Sequence, residues 1–370
     1  MYTLSKLPTF WNNLQYKFLP VLEEFLPPLL QSHRDVIASL ELIKIERFLS
    51  FSTGWRGRPP ASRIAIARAF ITKHILNIPT TEHLRERLQC DKALRVICGW
   101  ERYNQIPSLS TFSRAFAMFS RIKLPEVVHE VLIKQMYKDE IVGHLSRDSS
   151  DVPAREKSKK KNSKSSAKAR GGPRKKGPGK CEQQINQSLE AMLDDISMDC
   201  DFGSKVSSKG HRLNWIGYKL HVDVADGSIP ISCKLTSASV ADPIMAIPLS
   251  LISSQRVTSF YEVMDKAYYV KAISQFIESK GRKAIITECA KSTQAKSDQE
   301  RELKARTIIN WQPPEVVRQR YRTEVERFFS NLKDNFCGRM IRVKGAVKVF
   351  CHLMFGVLAL TASRLLHLVI

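Results

Sequence analysis

A chain of 370 residues with 43% hydrophobic content is long and apolar enough for two or three domains, each with its own core. The formal net charge of +23 points to a polyanionic partner. None of the eight cysteines shows a C-x2-C spacing, which argues against a zinc site, and several lie in apolar runs that suit buried, reduced thiols in a cytosolic protein.

Residues 1–140 carry helical patterns. The N-terminal MYTLSKLPTFWNNLQ has no charged segment followed by an apolar one, so no signal peptide is expected. Phe18, Leu19, Val21, Leu22, Phe25 and Leu29 form an early amphipathic segment, and Ser62 to Leu76 a second, largely apolar one. Arg56-Gly57-Arg58-Pro59 spells the core of a minor-groove hook, though without basic flanks. Thr80 or Thr81 suits an N-cap. Pro107 to Thr111 is a turn into a helix that presents Ser110 and Arg114 at its start and Phe112, Ala115, Phe116 and Phe119 along one face. This is compatible with a DNA-contacting helix-turn-helix and equally with any all-helical domain.

From Ile141 the pattern changes. Ile141 to Asp148 is a short strand ending in an acid, after which Ser149-Ser150-Asp151 turns the chain. Arg155 to Lys180 then holds twelve Lys or Arg against the single acid Glu156, about half of the net charge. Among these cations are Lys159, Lys160, Lys161, Arg174, Lys175 and Lys176. Rich in Lys, Ser, Gly and Pro and lacking aromatics, the segment is expected to be a mobile linker that can also touch phosphates. Gln183 to Ser197 suits a short helix. Asn214 to Val224 alternates as a strand, Ala225-Asp226-Gly227 is a hairpin turn, and Ile229 to Leu235 is the partner, with Pro230 favouring an edge. A helix from Asp242, kinked at Pro248, a strand Phe260 to Asp265, a helix Tyr268 to Ser279 and a strand Lys283 to Thr287 follow. His144 and His221 fall on strands as core or near-site residues. No phosphate-cradling glycine loop is present, so no nucleotide cofactor is expected.

The stretch from Pro313 to Cys337 is the most informative. Pro313 and Pro314 suit a first helical turn, and Val325, Phe328, Phe329 and Leu332 make one buried stripe. Arg322, Glu326 and Lys333 lie within about 40° of one another on a neighbouring face. The plain reading is a solvated face with an Arg–Glu pair worth a few tenths of a kcal/mol. Beyond it, Val349 to Ala362 is apolar over about 14 residues, short of the roughly 20 a membrane span needs, so a buried core helix is expected.

Arg322-x3-Glu326-x6-Lys333 resembles the end of the Y-x2-R-x3-E-x6-K signature of bacterial insertion-sequence DDE transposases, with Gln319 where the Tyr is expected and Tyr321 nearby. The likeness extends to GRPP…PSLSTFSR, SRDSS…AREK, GYKLH, DKAY and KVFCHLMFGVLALTA. The resemblance implies an α/β fold: a ribonuclease-H-like mixed sheet flanked by helices, preceded by an all-helical N-terminal domain. The implied boundaries are a DNA-binding domain at 1–140, the first core strand at 141–152, a basic flexible insertion at 153–212, and the rest of the core at 213–370.

The resemblance also makes Asp148, Asp265 and Glu326 the catalytic and metal-holding acids, with Asp151 the alternative to Asp148. Arg322 and Lys333 become contacts to element-end DNA. Mg²⁺ or Mn²⁺, two ions, is the implied cofactor, because hard carboxylate oxygens suit such ions and a bridged pair would gather the three acids within about 4–8 Å. The expected partners are terminal inverted repeats and target DNA, with a homodimer in the DNA complex, in the bacterial cytoplasm and away from any membrane. A decayed, DNA-binding regulator and a nuclease that cuts without joining are the alternatives.

Overall fold

The computed structural model describes residues 3–49, 60–158, 178–206, 210–287, 293–309 and 311–369. The chain divides into two compact units, one of Met1–Ile141, Gly227–Ile231 and Arg327–Ile370, the other of Val142–Asp226 and Ser232–Glu326.

The first unit is helical: α1 (Leu7–Asn13), α2 (Leu19–Phe25), α3 (Gln31–Ile43), α4 (Arg63–Ile75), α5 (Thr81–Cys90), α6 (Lys92–Cys98), α7 (Leu109–Arg121) and α8 (Leu124–Met136) precede the sheet in sequence. Side-chain oxygens start several of them: Ser62 accepts from the Ala65 N–H and Thr80 from the His83 N–H. The early segment follows a π turn at Leu14–Phe18 and is helical only to Phe25, and Phe18, Val21 and Phe25 are exposed, so it is less amphipathic than its pattern suggests. Between α6 and α7 the chain takes residues 99–108, including a 3-10 turn at Tyr103–Gln105. That is longer than the three- or four-residue link of a helix-turn-helix.

The last helix, named α16 below, spans Ala346–His367. It packs against α3, α4, α7 and α8. Its Phe355 joins Phe70, Phe116 and Phe119 in a ring cluster with centroids 5.2–6.3 Å apart. At 22 residues it is longer than the apolar run alone suggested, and most of it is buried inside the fold. It is a core helix, and the burial explains why it is apolar all round.

The second unit is built on β1 (Ile141–Pro153), β2 (Asp201–Val206), β3 (Arg212–Ala225), β4 (Ile229–Ser237), β5 (Thr258–Met264) and β6 (Lys283–Ile286). The order is β2-β3-β1-β5-β6, with β4 also on β3. β1 and β2 run antiparallel to β3, and β5 runs parallel to β6. Pro230 lies in β4, which among the described strands pairs only with β3.

Helices α9 (Lys180–Gln184) and α10 (Leu189–Asp194) and strand β2 occupy residues that the pattern left inside the 153–212 insertion. The short helix expected over Gln183 to Ser197 is two helices, α9 overlapping its start and α10 within it, whereas the six-residue β2 is too short to announce itself. Then come α11 (Ala246–Ser254), α12 (Lys271–Ser279), α13 (Thr293–Ile308), α14 (Pro314–Arg318) and α15 (Thr323–Asn335). Pro248 falls in the first turn of α11, after a 3-10 turn at Asp242–Met245, so it starts that helix and does not kink it. The core gathers Met264, Tyr268, Ile273, Phe276 and Ile277 with Ala246, Ile247 and Met192. A mixed six-stranded sheet flanked by helices is the ribonuclease-H-like fold.

β1 is longer than expected. It continues past Asp148 to Pro153 because β3 pairs with it down to Gly217. Gly217 sits where β3 exchanges β1 for β2. With φ of 154°, a Cβ there would stand 2.2 Å from the Val152 carbonyl oxygen, so only glycine fits.

Candidate functional site

Asp148 lies mid-strand in β1, opposite Val222 of β3, and not at a strand end. β5 is the neighbour of β1 on the other side, and Asp265 directly follows it. Asp265 caps the 3-10 turn Lys266–Tyr268, its Oδ1 accepting from the Ala267 N–H at 2.9 Å. Adjacent strands therefore bring two acids, far apart in sequence, to one place. Burial pushes the Asp148 carboxyl up to about 6, with Asp265 and Asp242 adding to the push; Lys205 of β2 and the Ser149 N–H oppose it. A carboxylate held this way is short of positive charge.

Glu326 is on α15. The stripe beside it is as expected, with Val325, Phe328, Phe329 and Leu332 all buried. The helix is not continuous from Pro314, however. It is interrupted by a 3-10 turn at Gln319–Arg322. That turn is tied down on both sides. Gln319 Nε2 donates to the carbonyls of Met264 and Ile285, at the ends of β5 and β6. The Ser146 hydroxyl of β1 donates to the Tyr321 carbonyl at 2.7 Å. One phenol O–H could not serve both carbonyls that the Gln319 amide serves, which gives this departure from the signature a structural role. Tyr321 stacks on His144 at 3.7 Å between ring centroids. Arg322 Nη2 then donates to Glu326 Oε1 at 2.8 Å, both side chains being partly exposed. Among the described residues no three His, Cys, Asp or Glu side chains are gathered as a metal would need. The structure brings Asp148 and Asp265 together and holds Glu326 on Arg322. Asp151 is exposed at the far part of β1.

Several neighbours of the acids escaped the sequence reading. The Ser149 hydroxyl and Lys219 Nζ both donate to Asp242 Oδ1, at 2.8 and 3.0 Å. Burial pushes the Asp242 carboxyl up, but His221, Lys219 and Ser149 together hold it below the usual range. An Asp opening a helix looks like a cap in a sequence, which hides it. Arg147, fully buried beside Asp148, donates through Nε and Nη2 to both oxygens of Asp223 at 2.7 Å and reaches Glu262 at 2.9 Å. Glu262 also takes Arg282 and the Ser250 hydroxyl, and Ser253 donates to Asp223. His221 is bonded to Thr236 and is lowered to about 4 by burial, so it is neutral and structural.

Of the residues expected at DNA, Ser110 and Arg114 lie exposed in the first turns of α7, where Arg114 donates to the Ser110 carbonyl. Lys333 is half-buried on α15. Lys159, Lys160, Lys161, Arg174, Lys175 and Lys176 lie outside the described residues, as does Arg56-Gly57-Arg58-Pro59.

The family model of the transposase DDE domain matches residues 144–362, and that of a transposase domain (DUF772) matches residues 20–117. No curated protein and no solved structure matches the chain.

Proposed function

Because the chain belongs to the DDE transposase family, we propose that it cuts DNA at the ends of an insertion element and joins the freed 3′-OH to target DNA, using a centre formed by Asp148, Asp265 and Glu326. The observation that carries this reading is the buried Asp148 carboxyl beside Asp265 on neighbouring strands. Two hard carboxylates, the buried one of Asp148 pushed further up by the charge of the other, fit Mg²⁺ or Mn²⁺. Such ions, two in this reading, supply activation of the attacking oxygen and stabilisation of the leaving one.

The chain's own residues do the rest. Asp148 and Asp265 hold the cation from the sheet. Arg322 exchanges Glu326 for a DNA phosphate, and the freed Glu326 turns to the two Asp. Lys333 holds the backbone further along the same helix. Ser110 and Arg114 meet DNA from α7. The proposed substrate puts the protein on bacterial DNA in the cytoplasm, as a homodimer spanning two element ends and without a nucleotide cofactor.

The test is incubation of the protein and Mn²⁺ with a duplex carrying the inverted repeats that flank its own gene. Nicks leaving 3′-OH ends together with joined products support the reading. Nicks without joining indicate a nuclease, and binding alone indicates a regulator. Lys333→Ala is expected to weaken binding of that duplex and to reduce the slope of log K against log salt by about one. Fluorescence anisotropy across salt concentrations measures both, and an unchanged slope removes Lys333 from the interface. Deleting residues 156–180 should flatten the same slope by several units and spare the preference for end sequence over random sequence. A slope equal to the intact protein's would show that this segment does not touch DNA.

A further inference from the structure

The 3-10 turn at Gln319–Arg322 is held on the sheet by stacked side chains from four elements. Tyr321 lies on the ring of His144 in β1, with centroids 3.7 Å apart and planes 10° apart. His144 also faces Tyr261 of β5, at 5.3 Å and 20°. The guanidinium of Arg318, at the end of α14, sits 4.2 Å from the centre of the Tyr261 ring. Neither ring nitrogen of His144 makes a hydrogen bond, although Asp226 Oδ1 lies 3.4 Å from Nδ1. The ring is therefore oriented by what lies on its faces. Alternation places His144, Ser146 and Asp148 on one face of β1. The first two hold the turn, since the Ser146 hydroxyl donates to the Tyr321 carbonyl at 2.7 Å. The third is the acid proposed to hold the cation. From Tyr321 the chain runs one residue to Arg322 and five to Glu326, about 7.5 Å along a helix. Tyr321 is 40% exposed, so the apolar core does not depend on it.

Resting on the centre proposed above, we propose that Tyr321 is a positioning residue: its ring, seated on His144, fixes the turn against the strand that carries Asp148, so that Glu326 enters the centre from a set place once Arg322 releases it. Tyr321 acts through Glu326 and touches neither the cation nor DNA. Its loss is felt in the reaction step and not in binding, because a misplaced reacting group slows chemistry while the contacts that hold substrate stay in place.

The test is a set of variants in the full chain. Tyr321→Leu keeps an apolar side chain at the turn and removes the stacked ring, whereas Tyr321→Phe keeps the ring and removes the hydroxyl. Cleavage of the end duplex at saturating DNA should fall by about 10- to 100-fold in Tyr321→Leu and stay within about twofold of wild type in Tyr321→Phe, the first being the scale of a misplaced reacting group. Duplex affinity should not change in either, and the melting temperature should fall by a few degrees at most. His144→Leu should lose as much cleavage as Tyr321→Leu, and the double variant should be no slower than either alone, because all three break one contact. Wild-type cleavage by Tyr321→Leu would overturn the proposal. So would weaker duplex binding by Tyr321→Phe, which would make the hydroxyl a DNA contact, and additive losses in the double variant, which would separate Tyr321 from His144. Failure of Tyr321→Leu to fold would overturn it too, by making the ring part of the core. Asp265→Asn, run alongside, separates two failures. If Asp265→Asn still cuts, the centre itself is misassigned. If it is dead while Tyr321→Leu is fully active, only the role of Tyr321 is wrong.

Discussion

Asp265→Asn should lower cleavage of the end duplex by about 10³-fold or more, while duplex affinity stays within about twofold. The amide still accepts from the Ala267 N–H, so the turn keeps its cap. What is lost is a negative oxygen beside Asp148. Asp148→Asn should be equally inactive and should also change stability in a pH-dependent way. The folded carboxyl of Asp148 sits at about 6, above its ordinary 3.8. Where the folded value is the higher, the folded state binds the proton more tightly, and ionisation works against folding. The penalty is absent below about pH 4, grows to about pH 6 and is complete above that, with an upper bound of about 3 kcal/mol. In EDTA at pH 8, Asp148→Asn should therefore melt above wild type, and the difference should vanish near pH 4. Full cleavage by either variant would remove the assignment. Equal melting at pH 8 would mean that Asp148 is better solvated than its position implies.

Arg147→Met should cost about 3–5 kcal/mol in unfolding free energy, the largest stability loss expected of any single substitution here. The substitution keeps much of the side-chain volume but strands Asp223 and Glu262, both 0% exposed, with one cation fewer between them. Arg282 still neutralises part of Glu262, so the loss falls mainly on Asp223, left with the Ser253 hydroxyl. A urea titration followed by circular dichroism measures it. A loss under about 1 kcal/mol would show that water or a rearranged Arg282 reaches Asp223. The partly exposed Arg322–Glu326 pair is the contrast. Breaking it should move stability by only a few tenths of a kcal/mol.

Much of the architecture was legible along the chain. The stripe Val325, Phe328, Phe329, Leu332 has the spacing of one helical face, and all four are buried. The turn at Asp226 and Gly227 was announced by residues that tolerate positive φ, and Gly227 adopts 79° there. Thr80 caps α5 as its position before a periodic segment suggests. Other features were misjudged for identifiable reasons. Ser149-Ser150-Asp151 has the composition of a turn, yet β3 supplies a partner as far as Gly217 and the strand runs on through it. His221 was expected in the core or near the site and is 0% exposed, whereas nothing in the alternation of β3 singled out Asp223, which is 0% exposed as well. A polar residue in a strand is normally at solvent; here the buried Arg147 and Thr236 satisfy these two instead.

The sequence alone determined the class of partner, because net charge is a sum over residues and needs no fold. It also determined the helical and strand periods and the family, since both are written in local spacing. Which acids meet was decided only by tertiary structure. Strand order sets β1 beside β5 and thereby couples Asp148 to Asp265, and no local pattern encodes that neighbourhood. The same holds for Asp242 reaching Ser149 and for Arg147 between Asp223 and Glu262. Each depends on burial and on partners distant in sequence. A charge or a hydroxyl becomes costly, and so informative, only once water has been removed from around it.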